Sequence, residues 1–163
     1  MKSNRVSTSR SRQPVARSLA LEEYVPYKLA LLSSRLSHGL ESACERECGI
    51  SRTDWRVLAS IAQQEGCPAA SLVDPHIMDA VAVHRAVRRL ETAGLVVAKA
   101  VEADRRMRLL MTTASGRKVY ETLVPYALEL EERMLSALPE SNRAQFAASL
   151  GKLLSIPIED LLV

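Results

Sequence analysis

The sequence predicts a mainly α fold with a small β wing, namely a winged helix-turn-helix with long N- and C-terminal dimerisation helices around it. Composition is the first reason: only 4% of the 163 residues are aromatic, six are Gly, and Leu, Ala, Arg and Glu dominate, which favours helix over strand. The second reason is that apolar residues recur every three or four positions through most of the chain. An apolar content of 47% is enough for the core of one domain.

The first predicted helix runs from Ala20 to Cys48, and Gly49 is placed to end it. Pro26 near its start predicts a bend or a preliminary turn. A second helix begins at Ser51 or Thr53, either of which can act as its N-cap, and stops at Gly66. The apolar stripe of the first helix consists of Leu21, Val25, Leu29, Leu32, Leu36 and Leu40, and the core face of the second includes Trp55.

A compact region of short elements is predicted next. Residues 68–73 form a short third helix that a proline terminates, and residues 79–93 form a fourth helix. Residues 95–97 and 108–112 are predicted as two short strands, and the segment KAVEADRRM at 99–107 is a charged connection between them. Two strands with a basic loop after a helix-turn-helix make a wing.

Two further helices complete the chain. Thr113 is placed to cap a long helix that ends at Pro139, and Pro125 inside it predicts a kink, because the apolar period continues on both sides. The last helix, Glu140–Leu154, is predicted to turn Phe146, Leu150 and Leu153 inward. The long first and fifth helices have more apolar surface than the central region can cover, so a homodimer is expected.

The fourth helix has two contrasting faces. In steps of about 100° per residue, Val83, Val87 and Leu90 form a buried arc flanked by Ala80 and Ala86. The opposite face carries Val81, Arg85, Arg88 and Arg89. Guanidinium groups match guanine edges or phosphates, and a valine can meet a thymine methyl group.

Double-stranded DNA is therefore the predicted partner of this face, and a merely solvated basic helix is the alternative. The wing favours DNA, because a helix in the major groove and a basic wing on the neighbouring backbone can bind together. Its basic residues are Lys99, Arg105, Arg106 and Arg108.

The chain resembles the MarR family of bacterial winged-helix transcriptional regulators. The resemblance rests on SLVDPHIMDAVAVHRAVRRLETAGLV at residues 71–96 and on EADRRMRLLMTTASG at residues 102–116. Asp104, Arg106 and the turn from Thr113 to Gly116 match the family's D-x-R and L-T-x-x-G signatures, with Thr112 in place of the usual Leu. His84 stands where the family more often has Ser or Thr.

The resemblance implies a homodimer that binds a pseudo-palindromic operator, acts as a repressor and is released by a small-molecule effector, such as an aromatic or phenolic anion. It also implies a recognition helix at Asp79–Ala93, in which His84 joins the DNA-binding residues, and a wing arginine in the minor groove. Asp104 would pair with Arg106 or a neighbouring arginine and stabilise the wing.

The predicted organisation follows from these elements. Residues 1–18 carry five basic residues and no acidic one, so they are expected to be a disordered basic tail. The winged-helix domain spans 19–155, with the DNA-binding lobe at about 50–112, dimerisation helices at about 20–48 and 113–155, and a C-terminal tail at 156–163. Without a membrane span or a secretory signal, the protein is expected to be cytoplasmic, with no membrane partner.

Other classes of function find less support. The sequence has no phosphate-binding glycine loop, paired-histidine zinc motif or nucleophile elbow, so neither an enzyme nor a protein with a cofactor or metal is expected. The alternative is a thiol-based redox sensor, or a helical protein-interaction module, that uses Cys44 and Cys48. These cysteines lie four residues apart on one helical face, a poor spacing for an intrachain disulfide.

Overall fold

The computed structural model describes residues 19–74, 77–101 and 104–157. It confirms a mainly α protein with a small antiparallel sheet. The helices are α1 (Val25–Cys48), α2 (Arg52–Gln63), α3 (Ala80–Thr92), α4 (Ala114–Ser136) and α5 (Glu140–Leu154). The strands are β1 (Cys67–Pro68), β2 (Val96–Val101) and β3 (Asp104–Thr112), and 3-10 turns occupy Leu21–Glu23 and Ala69–Leu72.

The chain divides into two compact units, one ending at Ser34 and the other beginning at Arg35. In the first unit, the described residues 19–34 form a 3-10 turn and the first ten residues of α1, and none of them is buried. The second unit contains the remaining helices and the sheet. The expectation that α1 starts at Ala20 was wrong, because the preliminary turn predicted from Pro26 takes up Leu21–Glu23 and the helix begins only at Val25.

Side-chain caps begin α2, α3 and α4, as the sequence predicted for Ser51 and Thr113. The Ser51 hydroxyl accepts a hydrogen bond from Asp54 N at 3.1 Å, while the Asp54 carboxylate accepts one from Ser51 N at 3.3 Å, forming a capping box. Asp79 accepts from Ala82 N at 2.7 Å. Thr113 likewise caps α4, so each of these helices starts with backbone donors satisfied.

Two connections of the central region require glycine, one for its backbone conformation and one because the backbones approach closely. Gly94 has a φ of 69°, the left-handed conformation that ends α3 without the strain of a side chain. Gly116 lies so near the preceding turn that a Cβ built on it would come within 1.9 Å of the Leu95 carbonyl oxygen. The first turn of α4 can therefore pack directly on the backbone that leads into β2.

The sheet has the order β1-β3-β2, and both pairings are antiparallel. The two predicted wing strands are present, but their predicted bounds were wrong: β2 extends to Val101 and β3 begins at Asp104, so most of the segment predicted as a charged loop is strand. Pairing satisfies the backbone groups of residues whose charged side chains lower their strand propensity. Strand β1, with only two residues, is too short to leave a periodic signal in the sequence.

The main core lies between α2, α3 and the sheet. Its fully buried members include Leu58, Ile61 and Leu90. A second cluster joins Cys44 of α1, Trp55 of α2 and Leu123 of α4, and the Trp55 and Tyr120 rings stack with centroids 5.6 Å apart. The prediction that Trp55 faces the core is thus confirmed.

The last helix differs from its prediction. Leu153 was expected to face inward, yet 55% of it is exposed, and no residue of α5 is buried. Phe146 and Leu150 are only partly buried, so the apolar face of α5 is incompletely covered within the described part of the protomer. Among the described residues, no helix has the length and hydropathy that crossing a membrane requires.

Candidate nucleic-acid interface

Helix α3 has the two faces that the sequence predicted. Val83, Ala86, Val87 and Leu90 are buried against α2 and the sheet. On the other side Val81 is 58% exposed, and the remaining exposed members of the face are His84, Arg85, Arg88 and Arg89. Ala80, expected beside the buried arc, is exposed instead, because it is the first residue of the helix and extends past the core.

Arg85 and Arg88 are the two arginines of this face that have no described carboxylate partner. Within residues 19–74, 77–101 and 104–157, no carboxylate whose side chain is described forms an ion pair with either guanidinium. Both side chains are exposed and project from a helix held by its apolar side. Their charge is thus available to an anionic partner, and guanidinium suits phosphates and guanine edges.

Arg89 is in a different environment from these two residues. Its Nε and one Nη lie 2.9 and 2.7 Å from Asp54 Oδ1. The Asp54 side chain is only 8% exposed, whereas that of Arg89 is 52% exposed. The hydrogen bond to Asp54 raises the pKa of Arg89. The pair also links α3 to the first turn of α2.

Asp54 was not identified from the sequence as part of this region. It serves at once in the capping box of α2 and as the partner of Arg89. The Ser-x-x-Asp spacing at residues 51–54 is the signal that predicts its capping role. No local pattern indicates a partner 35 residues further along the chain.

The wing places its described basic residues on opposite faces of the sheet. Ala100 pairs with Arg108 and Lys99 pairs with Leu109, and successive residues of a strand point to opposite sides. The face of Arg108 borders a cleft of about 300 Å³ against α3, lined also by His84 and Arg88. Arg108 approaches Glu91 of α3 at 3.3 Å, while Lys99 is exposed on the other face.

The tip of the wing lies partly beyond what the structure describes. Residues 102 and 103 are outside the described residues, as are the side chains of Asp104, Arg105 and Arg106. The predicted pairing of Asp104 with an arginine and the DNA contacts of Arg105 and Arg106 therefore stay predictions.

Glu65 connects the end of the wing to α4. It accepts hydrogen bonds from Thr112 N at 2.9 Å, from the Thr112 hydroxyl, and from Arg117 at 2.6 Å. Burial acts to raise the pKa of Glu65, but the hydrogen bonds from Thr112 and the charge of Arg117 outweigh burial and lower it. Arg117 also donates to the Ala62 carbonyl at 3.4 Å, so one ionic cluster links β3, α4 and the end of α2.

The environment of the thiols does not favour redox sensing. Cys44 is fully buried, and this burial raises its pKa to about 11. Burial also raises the pKa of Cys48. Both groups are free thiols that stay protonated near neutral pH, whereas a reactive cysteine needs a thiolate.

Metal binding also lacks a site in the described part of the chain, where no group of three or more His, Cys, Asp or Glu residues is arranged to hold an ion.

Known proteins share both the sequence pattern and the fold. Residues 49–107 match the model of the MarR family, which covers α2, α3 and most of the wing. The transcriptional regulator HosA of Escherichia coli is 24% identical over 106 residues, which are 65% of this chain and 78% of HosA.

Two solved structures resemble the whole described fold. A MarR family transcriptional regulator from Silicibacter pomeroyi is 28% identical, with a TM-score of 0.72 over 85% of this chain and 95% of that one. Bordetella bronchiseptica BpsR, whose DNA binding is regulated by 6-hydroxynicotinic acid, is 21% identical, with a TM-score of 0.75 over 86% of this chain and 99% of BpsR. These likenesses confirm the winged-helix fold predicted from the sequence.

Proposed function

We propose that this chain, whose residues 49–107 match the model of the MarR family, is a transcriptional regulator of that kind, binding double-stranded DNA as a homodimer and repressing transcription from a pseudo-palindromic operator. One observation carries this proposal: Arg85 and Arg88 project without a described carboxylate partner from a helix whose opposite face is buried. Open guanidinium groups on a rigid helix are the groups that major-groove recognition requires.

The described geometry supports a division of labour within this surface. Val81, His84 and Arg85 lie in the first two turns of α3, the part of a recognition helix that reaches base edges. Arg88 lies one turn further on and is suited to the phosphate backbone. Arg89 supports α3 through Asp54 and binds DNA only with donors that this pair leaves free. The wing, with Lys99, Arg105, Arg106 and Arg108, lies over the neighbouring backbone and minor groove.

The exposed apolar residues of the terminal segments support the homodimer. In the first unit, Leu21, Val25 and Leu29 are exposed, and Leu153 and Leu154 are exposed at the end of α5. A stable oligomer covers such surfaces, and two-fold dimers are the commonest solution. We assign residues 20–48 and 113–155 to dimerisation and about 50–112 to DNA binding. A two-fold dimer then places two α3 helices in successive major grooves about 10 base pairs apart.

A small aromatic anion is the proposed effector. BpsR is regulated by 6-hydroxynicotinic acid, which supports a similar class of ligand for this chain. Such a ligand releases the operator only by binding the DNA-incompetent arrangement of the dimer more tightly than the competent one. A panel of aromatic carboxylates added to a preformed DNA complex tests this part, and the expected result is a fall in DNA affinity with at least one of them.

Fluorescence anisotropy of labelled duplex DNA at several salt concentrations tests DNA binding itself. The logarithm of affinity should fall linearly with the logarithm of salt concentration, with a slope of about 0.9 per phosphate neutralised. Arg85→Ala should cost about 1–3 kcal/mol on the preferred duplex and blur base preference. Arg88→Ala should weaken all duplexes alike and reduce the salt slope by about one unit.

Arg133→Ala is the matched control, because it removes the same charge from an exposed position of α4 outside the proposed surface. Provided that analytical ultracentrifugation shows wild-type dimerisation for this variant, because Arg133 lies in a segment assigned to dimerisation, affinity and salt slope should both be unchanged. Equal losses in all three variants would mean that net charge, and not the face of α3, determines binding. An affinity untouched by Arg85→Ala and Arg88→Ala would overturn the assignment of this face.

A further inference from the structure

Two large aliphatic side chains are exposed at the start of α3. Ile77, in the turn before the helix, is 60% exposed and Val81, in its first turn, is 58% exposed. Their neighbours Met78 and Val83 are buried in the core. Ile77 and Val81 lie on either side of Asp79, the N-cap of the helix, and were not grouped by the sequence, which singled out Val81 alone.

The surroundings of this pair indicate what covers it. A single exposed aliphatic residue is ordinary, but Ile77 and Val81 stand at the leading end of the helix that carries Arg85 and Arg88. The positive charge beside them favours a polyanion over a second apolar protein surface. The leading end of a recognition helix is also the part that lies nearest the base edges.

Only one base offers an apolar group there. In the major groove, thymine presents its C5-methyl group, whereas the other three bases present hydrogen-bond donors and acceptors. An aliphatic side chain can discriminate between bases only by covering that methyl group or by failing to satisfy polar edges. The chemistry of Ile77 and Val81 therefore matches thymine.

We propose that Ile77 and Val81 form an aliphatic pair that contacts thymine methyl groups, so that each half-site of the preferred duplex contains thymines opposite the start of α3. This inference rests on the proposed DNA-binding function and adds the base that the helix selects. Arg85, one turn after Val81, then reads a polar edge next to the thymine that Val81 covers.

Replacement of thymine by uracil tests the inference, because it removes the methyl group and leaves the hydrogen-bonding edge intact. The probe is the duplex that the full-length protein selects from a randomised library, resynthesised with uracil at one thymine position at a time. Loss of one buried methyl group should weaken binding by about fourfold. We expect this loss at one or two positions in each half-site and no change at the other thymines.

Protein variants then identify the residue that contacts each methyl group. Val81→Ala shortens the aliphatic side chain and should reduce the difference between the thymine and uracil duplexes at the position that Val81 covers. Ile77→Ala should abolish the difference at a neighbouring position. Both residues are exposed, so these variants are expected to fold, which circular dichroism checks. Val97→Ala, on the sheet face away from α3, is the matched control and should keep the full sensitivity to uracil.

Two results would overturn the inference while leaving DNA binding in place. In the first, the wild-type protein selects a duplex and binds it with a steep salt slope, yet tolerates uracil at every position. Alternatively, Val81→Ala and Ile77→Ala could keep the sensitivity of the wild type, which would assign the methyl contacts to other residues. Failure of the proposed function is distinct from both, since the protein would then enrich no duplex and show no salt-dependent binding.

Discussion

The central region of this chain buries many of its apolar side chains, whereas the terminal segments leave most of theirs exposed. Between Ser51 and Thr112, α2, α3 and the sheet enclose a core in which Leu58, Ile61 and Leu90 have almost no exposed surface. Residues 19–34 and α5 also contain leucines, yet none of their residues is buried within the described protomer. The central region is stabilised by its own contacts, whereas the terminal segments leave most of their apolar surface exposed in the protomer.

The largest expected difference is between one core and one terminal substitution. Ile61→Ala removes a fully buried side chain and should lower the free energy of unfolding by about 2–5 kcal/mol. Leu154→Ala, at a position that is 78% exposed, should change the unfolding of the protomer by less than about 0.5 kcal/mol. Denaturant titration measures both.

Leu154→Ala should act on assembly instead. Loss of a leucine from a dimer interface is expected to raise the dimer dissociation constant roughly tenfold, as measured by analytical ultracentrifugation. If Leu154→Ala left self-association unchanged and Ile61→Ala changed it, the division between the two regions would be incorrect.

The sequence predicted the central region well because its signals are local. Ser51, Asp79 and Thr113 are caps that act within three residues of their own position, and the apolar period of α3 identifies its buried face. The two-residue strand β1 left no such signal. Nor did the contact between Arg89 and Asp54, because it depends on the packing of α2 against α3 and not on residue spacing.

The terminal segments were predicted less accurately for a related reason. The period of α5 correctly predicted a helix at Glu140–Leu154, but periodicity shows only that a face is apolar and not what covers it. Leu153 was therefore expected inside the protomer, where it is not. The sequence pattern is the same whether the covering surface belongs to one chain or to two.

The second prediction concerns Cys44, which joins α1 to the core through Trp55 and Leu123. Its folded pKa of about 11 lies above the ordinary value of 9.0, so the folded protein holds this proton to higher pH than the unfolded chain does. The stability gained from the neutral thiol is complete below pH 9 and is lost as the pH rises toward 11. Two pKa units correspond to about 3 kcal/mol.

Denaturant titrations between pH 8 and pH 10.5 measure this loss. Cys44→Ala removes the titrating group and should flatten the pH dependence. A slope that persisted in Cys44→Ala would assign the alkaline loss of stability to lysine or tyrosine groups.

The third prediction separates structural from open arginines on α3. Arg89→Ala leaves the carboxylate of Asp54 buried without its guanidinium and should cost about 1–2 kcal/mol of stability, since the exposure of Arg89 reduces the full value of a buried pair. Arg85→Ala, on the same helix, should cost less than about 0.5 kcal/mol. Thermal unfolding of the two variants, side by side, gives the comparison.

A double-mutant cycle establishes that the cost arises from the pair. Asp54→Asn and Arg89→Ala should together cost less than the sum of the single variants, because the second change removes a group that the first has already left unpaired. Additive costs would show that the two side chains stabilise α2 and α3 independently.

The smallest expected effect belongs to an ion pair of similar length on α4. Arg133 and Glu129 approach to 2.5 Å, yet their side chains are 76% and 55% exposed. Water and salt screen such a pair, so Glu129→Gln should change the free energy of unfolding by no more than about 0.5 kcal/mol. Asp54→Asn, the same chemical change at a carboxylate that is only 8% exposed, should cost more at every salt concentration. If the two variants were equally destabilised in 1 M salt, burial would not be what distinguishes the Asp54–Arg89 pair from the Glu129–Arg133 pair on α4.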